Sequence, residues 1–287
     1  MSGDERKVFD ATGDFQYVVR GGERVTDPQW RSCRIIVTNK RLVLATNGGK
    51  QPIPHSKLSL ADPGSEVPDE TPATATAFEV GNNVLLIDAS GVEDFAFEYC
   101  RAALQGAVIL ARHPAVVGGV IRDDAEWGKA RFRLADGEVR LQFPDGDSTV
   151  FDIEDVGTIE TSESAVLGEP RAVVEVEHTD ERDRSVETHF SGMGHHTDAL
   201  QSLFSAVVDR REDDYELTEM ESQVLMALYS GVSPFEMADF VGATPDEVEE
   251  IYQRLLDVGA VDKVRTRTEV SLNAQGRNMA SEAMSGE

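Results

Sequence analysis

Four of the six histidines of this chain fall within about twenty residues, where together they could bind a metal ion. Imidazole nitrogens are common ligands of zinc and other transition metals. The four are His178, His189, His195 and His196. Their spacing gives no His-x-His or His-x-x-x-His pair with a supporting cysteine or carboxylate on one face, so it does not define a ligand set. We therefore expect no metal site and no cofactor.

Sequence patterns of the common catalytic sites are also missing. With 53 Asp and Glu among 287 residues, neighbouring carboxylates are too frequent to indicate an acid–base pair. The chain has no GxxxxGK[ST] or GxGxxG phosphate loop and no GxSxG nucleophile motif. Cys33 and Cys100 are too few and too far apart for a zinc site or a disulfide framework. We predict that the protein is not an enzyme and has no catalytic residue.

A cluster of basic residues near the start of the chain is a candidate binding surface. It lies within 22 residues that contain only Glu23 and Asp27 as acids, and comprises Arg20, Arg24, Arg31, Arg34, Lys40 and Arg41. Such a cluster could hold lipid phosphates, or it could receive an acidic protein. Ordinary exposed strand residues are the third alternative. From this cluster we select Arg31, Arg34, Lys40 and Arg41 as candidate partner-binding residues.

Three capping-box patterns in the last quarter of the chain predict three helix starts. Each has a hydroxyl residue followed three positions later by glutamate: Thr218 to Glu221, Ser233 to Glu236 and Thr244 to Glu247. Glycines that could end each helix follow at Gly231, Gly242 and Gly259. Two short apolar runs, 260–264 and 269–272, then read as strands of a hairpin. This order is typical of a winged helix-turn-helix domain.

The charge of the third predicted helix argues against DNA as the ligand of that domain. Its five acids, among them Glu247 and Glu250, face a single Arg254, whereas DNA affinity depends largely on Lys and Arg. Those carboxylates could form a solvated face or a surface for a protein. Basic residues occur only at the predicted wing, including Arg265 and Arg267. Candidate protein-contact residues here are Phe235, Met237, Glu247, Glu250, Arg254, Arg265 and Arg267, and we expect no nucleic-acid partner.

The region before this domain reads as two copies of one strand-rich unit. Residues 131–143 can be aligned without a gap on residues 34–46, and the segment 151–159 then matches 53–60. Each copy is predicted to end in a helix, the first over 99–112 and the second over 195–208. Residues 94–97 read as a strand, and Gly118-Gly119 reads as a linker. We therefore predict three domains, at residues 1–116, 117–212 and 213–287.

Composition restricts the environment of the protein more than it restricts the partner. The net charge is −26, and 6 lysines stand against 21 arginines, as in proteins from organisms that accumulate salt. Carboxylates then keep the protein soluble, so charge alone does not identify a ligand. The longest apolar stretch, Ala102 to Ala111, is shorter than the roughly 18 residues needed to cross a bilayer, and we interpret it as a buried helix. We expect a cytoplasmic protein with no integral membrane segment.

Two resemblances make this outline more specific. The stretch Val37-Thr-Asn-Lys-Arg-Leu-Val-Leu44 is similar to the second hairpin of GRAM-type members of the pleckstrin-homology-like superfamily. It implies an α+β protein with two tandem pleckstrin-homology-like β-barrel or sandwich domains, each closed by a C-terminal helix, before the winged helix-turn-helix. Nearly the whole chain, from Phe9 to Met284, resembles the archaeal chemotaxis protein CheF family. The phrases that carry this likeness are Arg41-Leu-Val-Leu44, His55-Ser-Lys-Leu58 and Gly231-Val-Ser-Pro-Phe-Glu-Met237.

The CheF resemblance implies an adaptor that acts by protein–protein contacts. Such a protein would bind the phosphorylated response regulator CheY, relay the signal to the switch proteins of the archaellum motor, and associate with CheC and CheD. It would be found in the cytoplasm at the archaellum base. Whether the chain forms a homodimer is left open. The alternative function is a winged-helix transcription regulator whose pleckstrin-homology-like domains sense a ligand.

Overall fold

The computed structural model describes residues 5–61, 68, 71–182, 184–215, 217–258 and 260–261, with the backbone alone at residues 211–214 and 257. The chain divides into two compact units, Met1–Asp213 and Asp214–Glu287, which we treat separately. Within the described residues, no helix has both the length and the apolar character needed to cross a membrane. Helices and antiparallel sheets are both present, so the α+β class is confirmed.

The first unit begins with an eight-stranded antiparallel sheet. Its strands are β1 (Lys7–Arg20), β2 (Glu23–Arg24), β3 (Arg31–Thr38), β4 (Arg41–Thr46), β5 (Gly49–Pro54), β6 (Ser59–Leu60), β7 (Thr76–Val80) and β8 (Asn83–Ala89). Their order across the sheet is β5-β4-β3-β1-β8-β7-β6, with β2 paired to β1. Apolar side chains alternate along the strands, as in β3, where Cys33, Ile35 and Val37 are buried.

A second eight-stranded sheet follows with the same internal order. Its strands are β9 (Val108–Val117), β10 (Val120–Ile121), β11 (Gly128–Ala135), β12 (Glu138–Gln142), β13 (Ser148–Asp152), β14 (Val156–Val166), β15 (Glu169–Thr179) and β16 (Ser185–Ser191). They are arranged β13-β12-β11-β9-β16-β15-β14, with β10 paired to β9. Each strand therefore occupies the place of the strand eight earlier, which confirms the predicted repeat. The pleckstrin-homology-like likeness of the two sheets stays a prediction.

Each sheet is followed by a helix whose aromatic side chains pack into one continuous core. Helix α1 (Phe95–Leu104) follows the first sheet and α2 (Gly194–Asp214) follows the second. Phe95 and Phe204 are fully buried in this core. We call residues 7–104, with the first sheet and α1, the first repeat, and residues 108–214, with the second sheet and α2, the second repeat.

The boundaries predicted around α1 were wrong. The helix begins earlier, because the Asp94 carboxylate accepts a hydrogen bond from the Phe97 amide at 2.8 Å and caps it. It ends at Leu104, ahead of Gly106, which has a φ of +77°. The apolar run that we interpreted as one helix is instead the buried end of α1 followed by the partly buried start of β9. Gly118-Gly119 forms the turn between β9 and β10 and is not a linker.

The second unit contains three helices among its described residues: α3 (Glu219–Tyr229), α4 (Met237–Val241) and α5 (Pro245–Asp257). Capping boxes at Thr218 and Thr244 are confirmed, since both reciprocal hydrogen bonds are present. The box predicted at Ser233 was wrong, because α4 starts at Met237 without a side-chain cap. The predicted wing lies outside the described residues except for Ala260 and Val261, so the winged helix-turn-helix stays a prediction.

Candidate functional site

Two of the four basic residues selected near the start of the chain are bound to carboxylates of the same segment. Arg34 donates from Nε and Nη2 to the two carboxylate oxygens of Asp10, both at 2.7 Å. Arg41 likewise donates from Nε and Nη2 to the two carboxylate oxygens of Glu5. Arg34 therefore holds the pKa of Asp10 well below its usual range, and Arg41 lowers the pKa of Glu5 to about 2. A partner that used these arginines would have to displace their carboxylates.

The other two basic residues differ from these in their surroundings. Arg31 is exposed at the start of β3. Lys40 is exposed in the turn between β3 and β4 and lines a cavity with residues from both repeats, which we call the basic cleft. The basic cleft is lined by Arg6, Lys7, Val8, Asn39, Lys40, Gln105, Gly106, Arg131 and Arg133. Four of its five cations were missed in the sequence. For two of these four, Arg131 and Arg133, the sequence held a signal: their alternation with Phe132 places both arginines on one face of a strand.

The second unit exposes large apolar side chains on α3 and α4. Tyr229 is 96% exposed, and Met226 and Phe240 are more than half exposed. Met226 and Tyr229 are three residues apart on α3 and so lie side by side. Met226 and Phe240 both line a groove of about 310 Å³, which we call the apolar groove. Its lining residues are Gln223, Met226, Ala227, Ser230, Phe240 and Val241.

The sequence identified this apolar surface in part. Phe235 is 82% exposed, as a contact residue must be. Met237 was a wrong prediction: its side chain is fully buried and packs with Val224 and Leu255 in the core of the unit. A partner therefore cannot reach it. The sequence analysis placed the start of this helix at Ser233, so it gave Phe235 and Met237 the same role. The helix starts at Met237, and this start decides which of the two side chains is buried.

Helix α5 carries the acidic surface expected from the sequence, and its predicted contact residues have structural roles as well. Glu247 Oε2 accepts from the backbone amide of Thr244 at 2.7 Å in the capping box, which lowers the Glu247 pKa. Glu250 is exposed. Arg254 donates from Nε to the buried carboxylate of Glu221 at 2.8 Å. Arg265 and Arg267 lie outside the described residues.

Glu221 is the centre of a small hydrogen-bond network in the second unit. Its carboxylate accepts from Arg254, from the Tyr215 hydroxyl at 2.8 Å and from the Thr218 amide at 2.8 Å. Arg254 lowers the pKa of Glu221 to about 2, and the Thr218 amide acts in the same direction. The single described cation of α5 is thus held within the unit. Apart from Arg254, α5 carries no cation that could compensate the charge of DNA phosphates.

The four histidines do not converge on one place. His189 lies near two carboxylates, with Nε2 at 3.1 Å from Glu187 and 3.9 Å from Glu175. The three side chains could offer a cation three ligand atoms, all within 4.8 Å of one another. Zinc sites normally have four ligands, so these three side chains do not complete one. Spacing did not reveal this group because β15 and β16 bring Glu175 and His189 opposite each other.

His178 makes packing and hydrogen-bond contacts inside the second repeat. The remaining two histidines, His195 and His196, lie at the start of α2. The His178 ring stacks on Phe151 with 3.7 Å between centroids, and its Nε2 lies 2.8 Å from the Thr188 hydroxyl. His113 lies 2.7 Å from the same hydroxyl. Burial lowers the pKa of His113 to about 4, so this histidine is neutral at pH 7. These contacts serve packing in the second repeat.

Comparison with known proteins links the whole chain to archaeal chemotaxis. Residues 7–210 match the family described as archaeal chemotaxis signal transduction system protein F. Residues 216–285 match a separate domain of unknown function, DUF8579. Taxis protein CheF1 of Halobacterium salinarum is 37% identical over 297 residues, covering 100% of both chains. Taxis protein CheF2 of the same organism is 23% identical over 260 residues, covering 87% of this chain and 88% of its own.

Proposed function

The chain belongs to the archaeal family of chemotaxis signal transduction system protein F, and from this premise we propose that it is an adaptor for the phosphorylated response regulator CheY. It binds that form of CheY and relays the signal to the switch proteins of the archaellum motor. CheC and CheD are further proposed partners. The protein works without catalysis, in the cytoplasm at the base of the archaellum.

The exposed apolar surface of the second unit is the observation that best supports an adaptor. Tyr229 and Phe235 are 96% and 82% exposed in a chain whose net charge is −26. Exposed apolar surface that includes aromatic and methionine side chains is typical of protein–protein contacts. Such contacts depend on buried area, so they persist at salt concentrations that screen charges. An adaptor of this kind discriminates between CheY forms only through its different affinities for them.

A capture experiment with CheY of the same organism tests the proposal. The immobilised full-length protein is incubated with CheY, with and without beryllofluoride as the phosphoryl mimic. We expect more CheY to be retained with the mimic. Equal retention in both states would contradict the proposed preference, and no retention in either state would contradict CheY as a partner.

Paired surface variants then locate the contact. Replacing Tyr229 and Phe240 by serine removes apolar surface without opening the core, because both side chains are exposed. We expect CheY retention to fall about tenfold or more. Leu167→Ser is the matched control, since Leu167 is 66% exposed in the first unit. Retention that falls equally in both variants would indicate a non-specific effect and remove the second unit's surface from the proposal.

The transcription-regulator alternative is not favoured by the family or by the charge of α5. Asp246, Glu249 and Glu250 are exposed there, and Arg254 is bound to Glu221. Phosphates would be repelled from this surface. A mobility-shift assay with upstream promoter DNA separates the two functions, since the adaptor leaves the DNA unretarded.

A further inference from the structure

The basic cleft is built from four separate segments of the first unit. They are the start of β1, the turn between β3 and β4, the connection from α1 to β9, and the outer face of β11. The cavity has a volume of about 620 Å³, within the range of ligand-binding clefts. Its lining therefore depends on the two repeats being folded together in this unit.

Two of the cations are fixed by the way β11 joins the first repeat. Arg131 and Arg133 project from the exposed face of β11 on either side of the buried Phe132. The Phe132 carbonyl accepts from the Gly106 amide and its amide donates to the Ala107 carbonyl, both at 2.9 Å. The two guanidinium groups are thus presented side by side from a strand whose backbone is held in place.

The other three cations lie at the start of the first repeat and in its turn between β3 and β4, and two hydrogen bonds connect these segments. The Arg6 amide donates to Asn39 Oδ1 at 2.8 Å, and the Asn39 amide donates to the Arg6 carbonyl at 3.0 Å. This pair ties the segment of Arg6 and Lys7 to the turn that carries Lys40. Lys7 also contacts Asp10 at 2.5 Å.

Charge makes this cleft unusual for the molecule. Among the nine lining residues that the structure describes, five are cationic and none is acidic, in a chain of net charge −26. The Arg133 side chain makes no hydrogen bond or ion pair with any described residue. Arg131 donates from Nη1 to the Gly106 carbonyl at 2.9 Å, and this acceptor is a neutral group. Arginine forks of this kind bind carboxylates with two parallel hydrogen bonds.

We propose that the basic cleft binds an acidic segment of a partner polypeptide through its side-chain carboxylates. No aromatic side chain is among the described residues of the cleft, so a nucleotide base would find no ring there on which to stack. The cations come from three separate segments of the chain, which suits several carboxylates along an extended chain better than a single phosphate. This inference goes beyond the adaptor function because it assigns one site and one ligand chemistry, whichever protein supplies the segment.

A fluorescein-labelled peptide of glutamates provides a direct test by anisotropy with the full-length protein. The overall negative charge of the protein repels such a peptide, so binding requires a local basic site. Arg133→Gln removes one cation without breaking a contact of the described structure, and we expect it to weaken peptide binding about tenfold. The double variant Arg131→Gln, Arg133→Gln should weaken it further. Arg24→Gln with Arg182→Gln is the control, since both residues are exposed in the first unit outside the basic cleft.

The outcomes separate the proposal from its alternatives. Peptide binding that is lost in Arg133→Gln and kept in the control supports the proposal. Absence of binding, or equal loss in the control, overturns it. Tripolyphosphate serves as a second ligand: if it binds through Arg133 and the peptide does not, the site takes phosphate compounds and the polypeptide assignment is wrong. CheY capture by Arg133→Gln is measured in parallel, so that failure of the cleft proposal is distinguished from failure of the adaptor function.

Discussion

The two units of this protein expose different kinds of surface. The first unit buries most of its large apolar side chains, chiefly in one core formed by both repeats, although a few such as Ile121 and Leu167 are exposed; many of its arginines are paired with carboxylates. The described core of the second unit has six buried apolar residues, while several larger ones on α3 and α4 remain exposed. The difference indicates two modes of contact. Partners of the second unit would be recognised by apolar area, and those of the first unit by charge.

The largest expected effect is on the stability of the first unit. Phe95 and Phe204 occupy matching helices of the two repeats, and each packs on other aromatic rings of its own repeat. Changing either to alanine should lower the free energy of unfolding by about 3–5 kcal/mol, because each leaves a cavity. Urea unfolding followed by tryptophan fluorescence reports on this unit, since Trp30 and Trp127 both lie in it. Phe240→Ala, at an exposed site of the second unit, should leave that transition unchanged; a similar loss there would contradict the contrast between the units.

A smaller effect is expected at Glu221 in the second unit. Glu221→Ala removes the acceptor for Arg254, Tyr215 and the Thr218 amide, and should cost about 2 kcal/mol. Hydrogen exchange of α3 should become faster while β3 keeps its protection. Glu219→Ala is the control, because Glu219 is exposed in the same helical turn. If α3 exchange were unchanged, the network would not stabilise this unit.

Protonation of His113 in the first unit and of Glu221 in the second should weaken the surrounding structure over different pH ranges. His113 has a pKa lowered from 6.5 to about 4, so the unfolded chain takes up its proton first and the first unit loses stability as pH falls between these values. Glu221 has a pKa lowered from 4.5 to about 2, so its contribution to the second unit is complete above 4.5 and is lost towards 2. Hydrogen exchange of β9 and α3 measured from pH 7 to pH 3 should separate the two ranges. In Glu221→Gln, the dependence for α3 should disappear and that for β9 should remain.

The smallest expected effect is at Arg34, whose contact with Asp10 is exposed to solvent. Exposed ion pairs contribute little to stability, particularly in salt. Arg34→Gln should therefore leave the urea midpoint close to that of the native protein at molar salt. A large loss would show that the ion pairs of the first unit are structural, and it would weaken the interpretation of that surface as one open to partners.

The sequence predicted the repeat because both halves share one pattern of apolar strands and turns. It did not predict where α1 ends, since Ala102 to Ala111 is apolar in both the helix and the strand that follows it. The capping-box pattern predicted the starts of α3 and α5 correctly. There the Thr218 and Thr244 side chains accept hydrogen bonds from amides in the first turn of the helix that each precedes. The same pattern failed at Ser233, whose side chain accepts instead from the Phe235 amide at 3.3 Å.

The candidate sites depended on contacts that spacing cannot show. Arg34 and Arg41 looked like free cations, but their partners Asp10 and Glu5 are brought next to them by pairing of β1 with β3 and by the chain just before β1. Only Lys40 of the selected basic residues reaches the basic cleft. The alternation of Arg131 and Arg133 predicts a shared face of β11. The other residues of the basic cleft come from the start of β1, the turn between β3 and β4 and the connection after α1, and spacing cannot show that they are close.

The strand order has a consequence for biosynthesis. The opening strand of each repeat, β1 or β9, lies at the centre of its sheet, and its neighbour on one side is the closing strand, β8 or β16. A nascent chain leaving the ribosome can therefore build the β3-β4-β5 side early, but one flank of the central strand stays unpaired until the closing strand has been synthesised. Exposed strand flanks favour mispairing between chains. Each repeat is thus most vulnerable to aggregation just before its last strand emerges, twice during the synthesis of one molecule.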